Sequence, residues 1–96
     1  MTAMIEVENV NAPGKSSRVN AAKYNDMRAA FEKALPNSSP GLTQSDTREA
    51  TKPHLSQDLF PKGQTCGWWA KTVQLDLEAK GLLTREATKP LRWYWK

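Results

Sequence analysis

The sequence predicts a mainly α chain closed by a small β-hairpin, an α+β fold of three helices followed by two C-terminal strands. Three observations carry that expectation. Apolar residues recur at spacings of three and four from Tyr24 to Leu35 and again from Trp69 to Leu77, the period of a helix with a buried face. After Gly81 the period drops to two, with Leu91, Trp93 and Trp95 alternating against Arg92, Tyr94 and Lys96. The 96 residues leave room for one modest core, of the size that removes roughly 60–70% of the unfolded surface from water.

Residues 1–19 are expected to form an N-terminal arm or edge strand, and residues 20–96 a single domain. In the arm, Ile5 and Val7 alternate with Glu6 and Glu8, and the NAPGKSS that follows is turn-rich and polar, the composition of a flexible connector. Its GKS is not a phosphate-binding loop, because the upstream glycine of that motif and the buried strand before it are missing. Asn20 suits the N-cap of the first helix, whose inward residues are Tyr24, Met27, Phe31, Ala34 and Leu35, and Pro36 closes it. Its outer face mixes Lys23, Asp26, Arg28, Glu32 and Lys33, a solvated pattern.

PNSSPG reads as a loop. Leu42 and Thr43, with Asp46 three residues on, have the form of an apolar lead-in and a capping pair, so a second helix is expected from Gln44 to about Lys52. Its inward side would be Thr47, Ala50 and Thr51, and Pro53 ends it. A short strand over Gly41 to Thr43 is a candidate third member for the hairpin. HLSQDLFPKGQT is irregular, with Leu55, Leu59 and Phe60 as core plugs and one helical turn over Ser56 to Leu59.

The third helix, from Gly67 to Lys80, is expected to be central. Two arcs, one of Trp69, Ala70, Val73 and Leu77 and one of Trp68, Leu75 and Ala79, are both read as buried, with Lys71, Gln74 and Glu78 as a narrow outward stripe. Gly81 supplies the left-handed residue that ends the helix, with Lys80 beside it at the negative end of the dipole. Leu82 to Glu86 then pairs with Leu91 to Lys96. A register placing Glu86 opposite Leu91 would oppose Arg85 to Arg92 beside Tyr94, a like-charge pair that favours a bound anion. The heptapeptide TREATKP occurs twice, at 47–53 and 84–90, and is expected to end a helix in the first copy and to form strand and loop in the second.

The formal net charge is +4, and all of the excess lies after residue 61. That places basic surface on the third helix and hairpin and raises nucleic acid as a partner, although a charge of this size is also ordinary solubilising charge. No apolar run approaches the ~18 residues of a membrane span, and no basic–apolar leader is read at the amino end, so a cytoplasmic location is expected. One cysteine, Cys66, and one histidine, His54, give no disulfide and no metal constellation, and no cofactor, membrane or small-molecule substrate is expected.

Three helices leading into a hairpin, the third helix being the largest, is the order of a winged-helix domain. The runs KPHLSQDLFP, GWWAKTVQLDLEAKGL and REATKPLRW resemble a family of small bacterial proteins of uncharacterised function. That resemblance covers the chain from about Val19 and implies a winged-helix fold, with no activity and no functional residues to carry over.

Three functions are then in competition. The first is a non-enzymatic protein-interaction or scaffold module, contacting a partner or a second copy through aromatic residues at a rim, Trp68 and Tyr94, or through a free strand edge. The second is a weak, sequence-tolerant DNA-binding protein, with Lys71 and Gln74 of the third helix in the major groove and Arg85, Lys89 and Arg92 of the wing on phosphates. The third is a thiol-dependent enzyme using Cys66 with His54 as base, which lacks a third orienting group.

Overall fold

Side-chain caps set where the first two helices begin, and left-handed residues set where several segments turn. The computed structural model describes residues 3–96; Met1 and Thr2, the start of the expected arm, lie outside them. The segment after them has the expected strand, and what reads as a connector turns it back into a hairpin. Strand β1 (Met4–Glu8) pairs antiparallel with β2 (Ser16–Asn20), with Val7 opposite Ser17 and Ile5 opposite Val19. Val7 and Val19 are buried in the same apolar cluster as the helices. The radius of gyration, 12.8 Å, is close to the ~13 Å of a single folded body of about 100 residues.

Helix α1 (Ala21–Ala34) starts at Asn20, whose Oδ1 accepts the Lys23 amide at 3.0 Å, and ends before Pro36. It buries Tyr24, Met27, Ala30 and Phe31. Strand β3 (Leu42–Thr43) leads directly into helix α2 (Gln44–Thr51), where the Thr43 hydroxyl accepts the Asp46 amide at 3.1 Å as the capping pair requires. A 3-10 turn, Lys52–His54, follows, so the first TREATKP runs from helix into turn. In the irregular segment Leu55 and Phe60 are core residues, and the Ser56 carbonyl accepts the Phe60 amide at 2.8 Å to close one helical turn.

Helix α3 (Cys66–Ala79) crosses the middle of the protein. Its arc of Trp69, Ala70, Val73 and Leu77 is buried against α1 and α2, and the Trp69 ring meets Phe60 edge-on at 6.3 Å. At its C-terminus Gly81 takes φ +75°, its amide donates to Glu78, and the Leu82 amide reaches back to Leu77 at 2.9 Å. That paired closure satisfies carbonyls the last turn would otherwise leave open.

Strands β4 (Leu83–Glu86) and β5 (Arg92–Trp95) then pair, as expected, but they are not a free-standing C-terminal hairpin: the sheet has three strands in the order β3-β5-β4. The last strand is therefore central. Gly41 makes this fit, since a Cβ there would fall on the Trp93 carbonyl. Trp93 and Trp95 both face inward, their indole N–H groups donating to Glu78 at 2.6 Å and to the Phe31 carbonyl at 3.0 Å.

The register is shifted by one from the expectation. Glu86 stands opposite Arg92 and Arg85 opposite Trp93, so the two arginines are not a facing pair and the anion site built on them is withdrawn. The reason lies outside the hairpin. Glu86 accepts the Gly41 amide and the Ser39 hydroxyl, both at 2.6 Å, and these bonds anchor the loop before β3 to the end of β4. They hold the Glu86 carboxyl below its ordinary pKa, the Ser39 bond contributing most.

Candidate functional site

The surroundings of α3 differ around its circumference, and they redistribute the expected site residues. The stripe of Gln74 and Glu78 faces the three-stranded sheet. Gln74 is buried and its Nε2 donates to Glu78 Oε1 at 3.1 Å, so the expectation that it reaches outward to a base is corrected. Glu78 also accepts Trp93 Nε1 and pairs with Arg85, whose Nε lies 3.0 Å from Glu78 Oε2. The Arg85 guanidinium further sits over the Trp93 ring, 5.7 Å from its centroid. Arg92 donates to the Gly41 carbonyl at 3.0 Å. Two of the three wing cations thus have partners within the fold, Arg85 at an exposed position, and Lys89 lies in the exposed loop between β4 and β5.

The second arc, expected to be buried, is the outward one. Trp68 is 57% exposed, Leu75 is half-buried and Ala79 is exposed. What packs on the helix here is the N-terminal hairpin, which meets α3 around Asp76 and leaves Trp68 clear. Asp76 fixes that cover. Fully buried, it accepts the Tyr24 hydroxyl, the Lys80 ammonium at 2.9 Å and the Glu8 backbone amide at 2.9 Å. One carboxylate therefore ties β1, α1 and the end of α3 together. Burial, and next the Asp76 carboxylate accepting its hydrogen bond, raise the Tyr24 phenol well above its ordinary pKa.

Toward the start of α3 the hairpin stands away from the helix and leaves an open groove of about 500 Å³. Its apolar surface comes from Val7, Ala12, Trp68 and Leu75, and Lys15 and Lys71 stand on opposite walls. Neither lysine is in an ion pair among the described residues, whereas Lys80 and Arg85 both are. The Trp68 ring is propped edge-on against Trp69, with centroids 4.9 Å apart, which fixes its orientation without burying it. Volume, apolar floor and convergent polar groups are those of a binding cleft.

Of the expected site residues, Lys71 and Trp68 are brought together in this groove. Tyr94 is not; it lies half-buried on the side of β5 opposite Trp93 and Trp95. Lys15 and Leu75 were missed as site residues, Lys15 because its loop reads as a connector and Leu75 because its arc reads as core. Cys66 is buried and His54 exposed, with no hydrogen bond between them, and no group of metal-ligating side chains gathers among the described residues. Among the described residues no helix is long and apolar enough to cross a membrane.

Among the described residues, a mixed α+β protein with three α-helices, two small antiparallel sheets and an apolar groove between the N-terminal hairpin and α3 is the class these features define. The chain belongs to a family of unknown function (DUF6958), whose model matches residues 4–93, the N-terminal hairpin included. No curated protein and no solved structure gives a significant match.

Proposed function

We propose that the chain is a non-enzymatic protein-interaction module of winged-helix type, docking a partner in the groove between the N-terminal hairpin and α3. The winged-helix part of this reading is supported by the element order after β2, helix–strand–helix–helix–strand–strand, with the last strand between the other two. The observation that carries the docking part is the outward arc of α3: an exposed tryptophan and a half-buried leucine, with Lys71 as its one charge. Exposed tryptophan held rigid by packing is the kind of anchor that dominates protein interfaces. The occupant is a protein segment that sets an apolar side chain against Trp68 and Leu75 and carboxylates against Lys15 and Lys71. A lone thiol and this compact fold suit a reducing compartment, and we assign the module to the cytoplasm.

A DNA reading has less to draw on. With Arg85 and Arg92 paired within the fold and Gln74 buried, base readout falls to Lys71 alone. Panning a displayed random-peptide library against the full chain, with Trp68→Ala and Lys71→Glu variants as counter-targets, tests the choice. The docking reading expects enriched clones that bind the wild type and lose both variants. Failure to enrich, together with a 20-bp duplex that binds at about 50 mM salt and weakens with a slope near −3 to −4 in log affinity against log salt, would replace it by the DNA reading.

A further inference from the structure

The N-terminal hairpin has one edge partly closed and one edge open. The Ala21 amide donates to the Ala3 carbonyl at 3.0 Å, which makes Ile5–Val19 and Val7–Ser17 the pairs that exchange hydrogen bonds. The residues between them turn their backbone groups away from the hairpin. The Glu8 amide follows this phase, leaving the ladder to reach Asp76 at 2.9 Å. On β2 the same phase turns the N–H and C=O groups of Ser16 and Arg18 outward. Both residues are exposed, and among the described residues no hydrogen-bonding group meets that backbone. Ser16 also lines the groove beside Lys15, so the open edge and the apolar floor are continuous.

Resting on the docking reading above, we infer that the partner is an extended acidic–apolar peptide segment that adds to β2 as a third, antiparallel strand. An unpaired strand edge is a template for such pairing, with main-chain bonds giving affinity and alternate side chains giving specificity. Residues opposite Ser16 and Arg18 would share their outward, solvated face. The residues between would point the other way, on the side of Val7 and Ser17, toward Trp68 and Leu75. On that inward side the period of two sets an apolar residue in the groove and carboxylates two positions before and after it, where Lys15 and Lys71 stand on the walls. A helical partner would leave Ser16 and Arg18 unused, and a nucleic-acid strand has no peptide groups to offer them.

The probe is an acetylated, amidated heptapeptide in which glutamate, phenylalanine and glutamate occupy the even positions and threonines the odd ones. Titrated into the isotope-labelled full chain, it is expected to shift the Trp68 indole signal and to slow amide exchange of Ser16 and Arg18 at least tenfold. Methylating the backbone nitrogens of the two threonines beside the phenylalanine should abolish binding, because those amides face β2, while methylating the phenylalanine nitrogen should not. Replacing both glutamates with lysine should weaken binding about tenfold or more. A Trp68 shift with unchanged Ser16 and Arg18 exchange, or equal binding by the threonine-methylated peptide, would overturn strand addition and leave the docking surface standing. No shift anywhere with the heptapeptide at about 5 mM would overturn the acidic-strand partner. Clones from the panned library that lose Trp68→Ala would in that case keep the docking reading, and their absence would remove both.

Discussion

Along α3 the side turned to the three-stranded sheet carries Gln74 and Glu78, and the side beneath the N-terminal hairpin carries Trp68, Lys71 and Leu75. The first is the more polar, yet it is the one that is enclosed: Glu78 accepts from Gln74, Trp93 and Arg85, so its charge is fully used within the fold. The second is the more apolar and is left open over its first half, with Trp68 exposed and Lys71 in no ion pair among the described residues. A polar group with partners can be core, and an apolar group without neighbours is surface awaiting a partner. Composition therefore misassigns the two sides, and hydrogen bonding assigns them.

Asp76, which bounds the open side, should be the most costly residue to lose. Asp76→Ala leaves the Tyr24 hydroxyl, the Lys80 ammonium and the Glu8 amide without their shared acceptor, and we expect a loss of about 3–5 kcal/mol in urea denaturation. A loss under about 1 kcal/mol would mean that the hairpin is held by its apolar contacts alone. On the enclosed side, Glu78→Ala should cost about 2 kcal/mol and destabilise the α3–sheet contact, read as faster amide exchange in β4 and β5. On the open side, Trp68→Ala should stay within about 1 kcal/mol of wild type, since only its edge contact with Trp69 is given up. Equal losses at positions 78 and 68 would erase the distinction between the sides.

The pH dependence adds two further anchors to the comparison, Tyr24 on Asp76 and Glu86 at the end of β4. The Tyr24 phenol ionises less readily in the folded protein than in the unfolded chain, where its pKa is near 10. Its contribution is fully present below about pH 10 and is lost as the pH rises further, so alkaline scans should show a decline that Tyr24→Phe removes. Glu86 has the opposite sign. Its carboxyl is held low by Ser39 and Gly41, so its contribution is present above the ordinary carboxylate range and fades as the pH falls through it. Glu86→Gln should flatten the acid limb slightly, the smallest of these effects, Glu86 being close to solvent.

Much of the helical frame was legible because local chemistry decides it. Asn20, Thr43 and Gly81 each act where their side chain or lack of one demands, and the helices begin and end accordingly. The two copies of TREATKP show where local chemistry stops. The first follows the Thr43 cap and continues as helix; the second follows the Gly81 turn and lies against β5 as strand, so neighbours outside the seven residues choose between them. The strand Ser16–Asn20 was hidden for the same reason: SSRVN is polar, with Val19 alone buried, and its partner β1 is a turn away. The groove was legible only in part. Periodicity separated the arcs of α3, but which arc is covered depends on where the hairpin and sheet land, and until that is known Trp68 reads both as part of a buried arc and as a rim residue.

The most direct test of the account is to measure the glutamate–phenylalanine heptapeptide's affinity for Trp68→Ala on the same samples whose urea stability is determined. Binding weakened at least tenfold in a protein as stable as wild type to within about 1 kcal/mol is the predicted result. Unchanged affinity, or a stability loss matching that of Glu78→Ala, would contradict it and return Trp68 to the core.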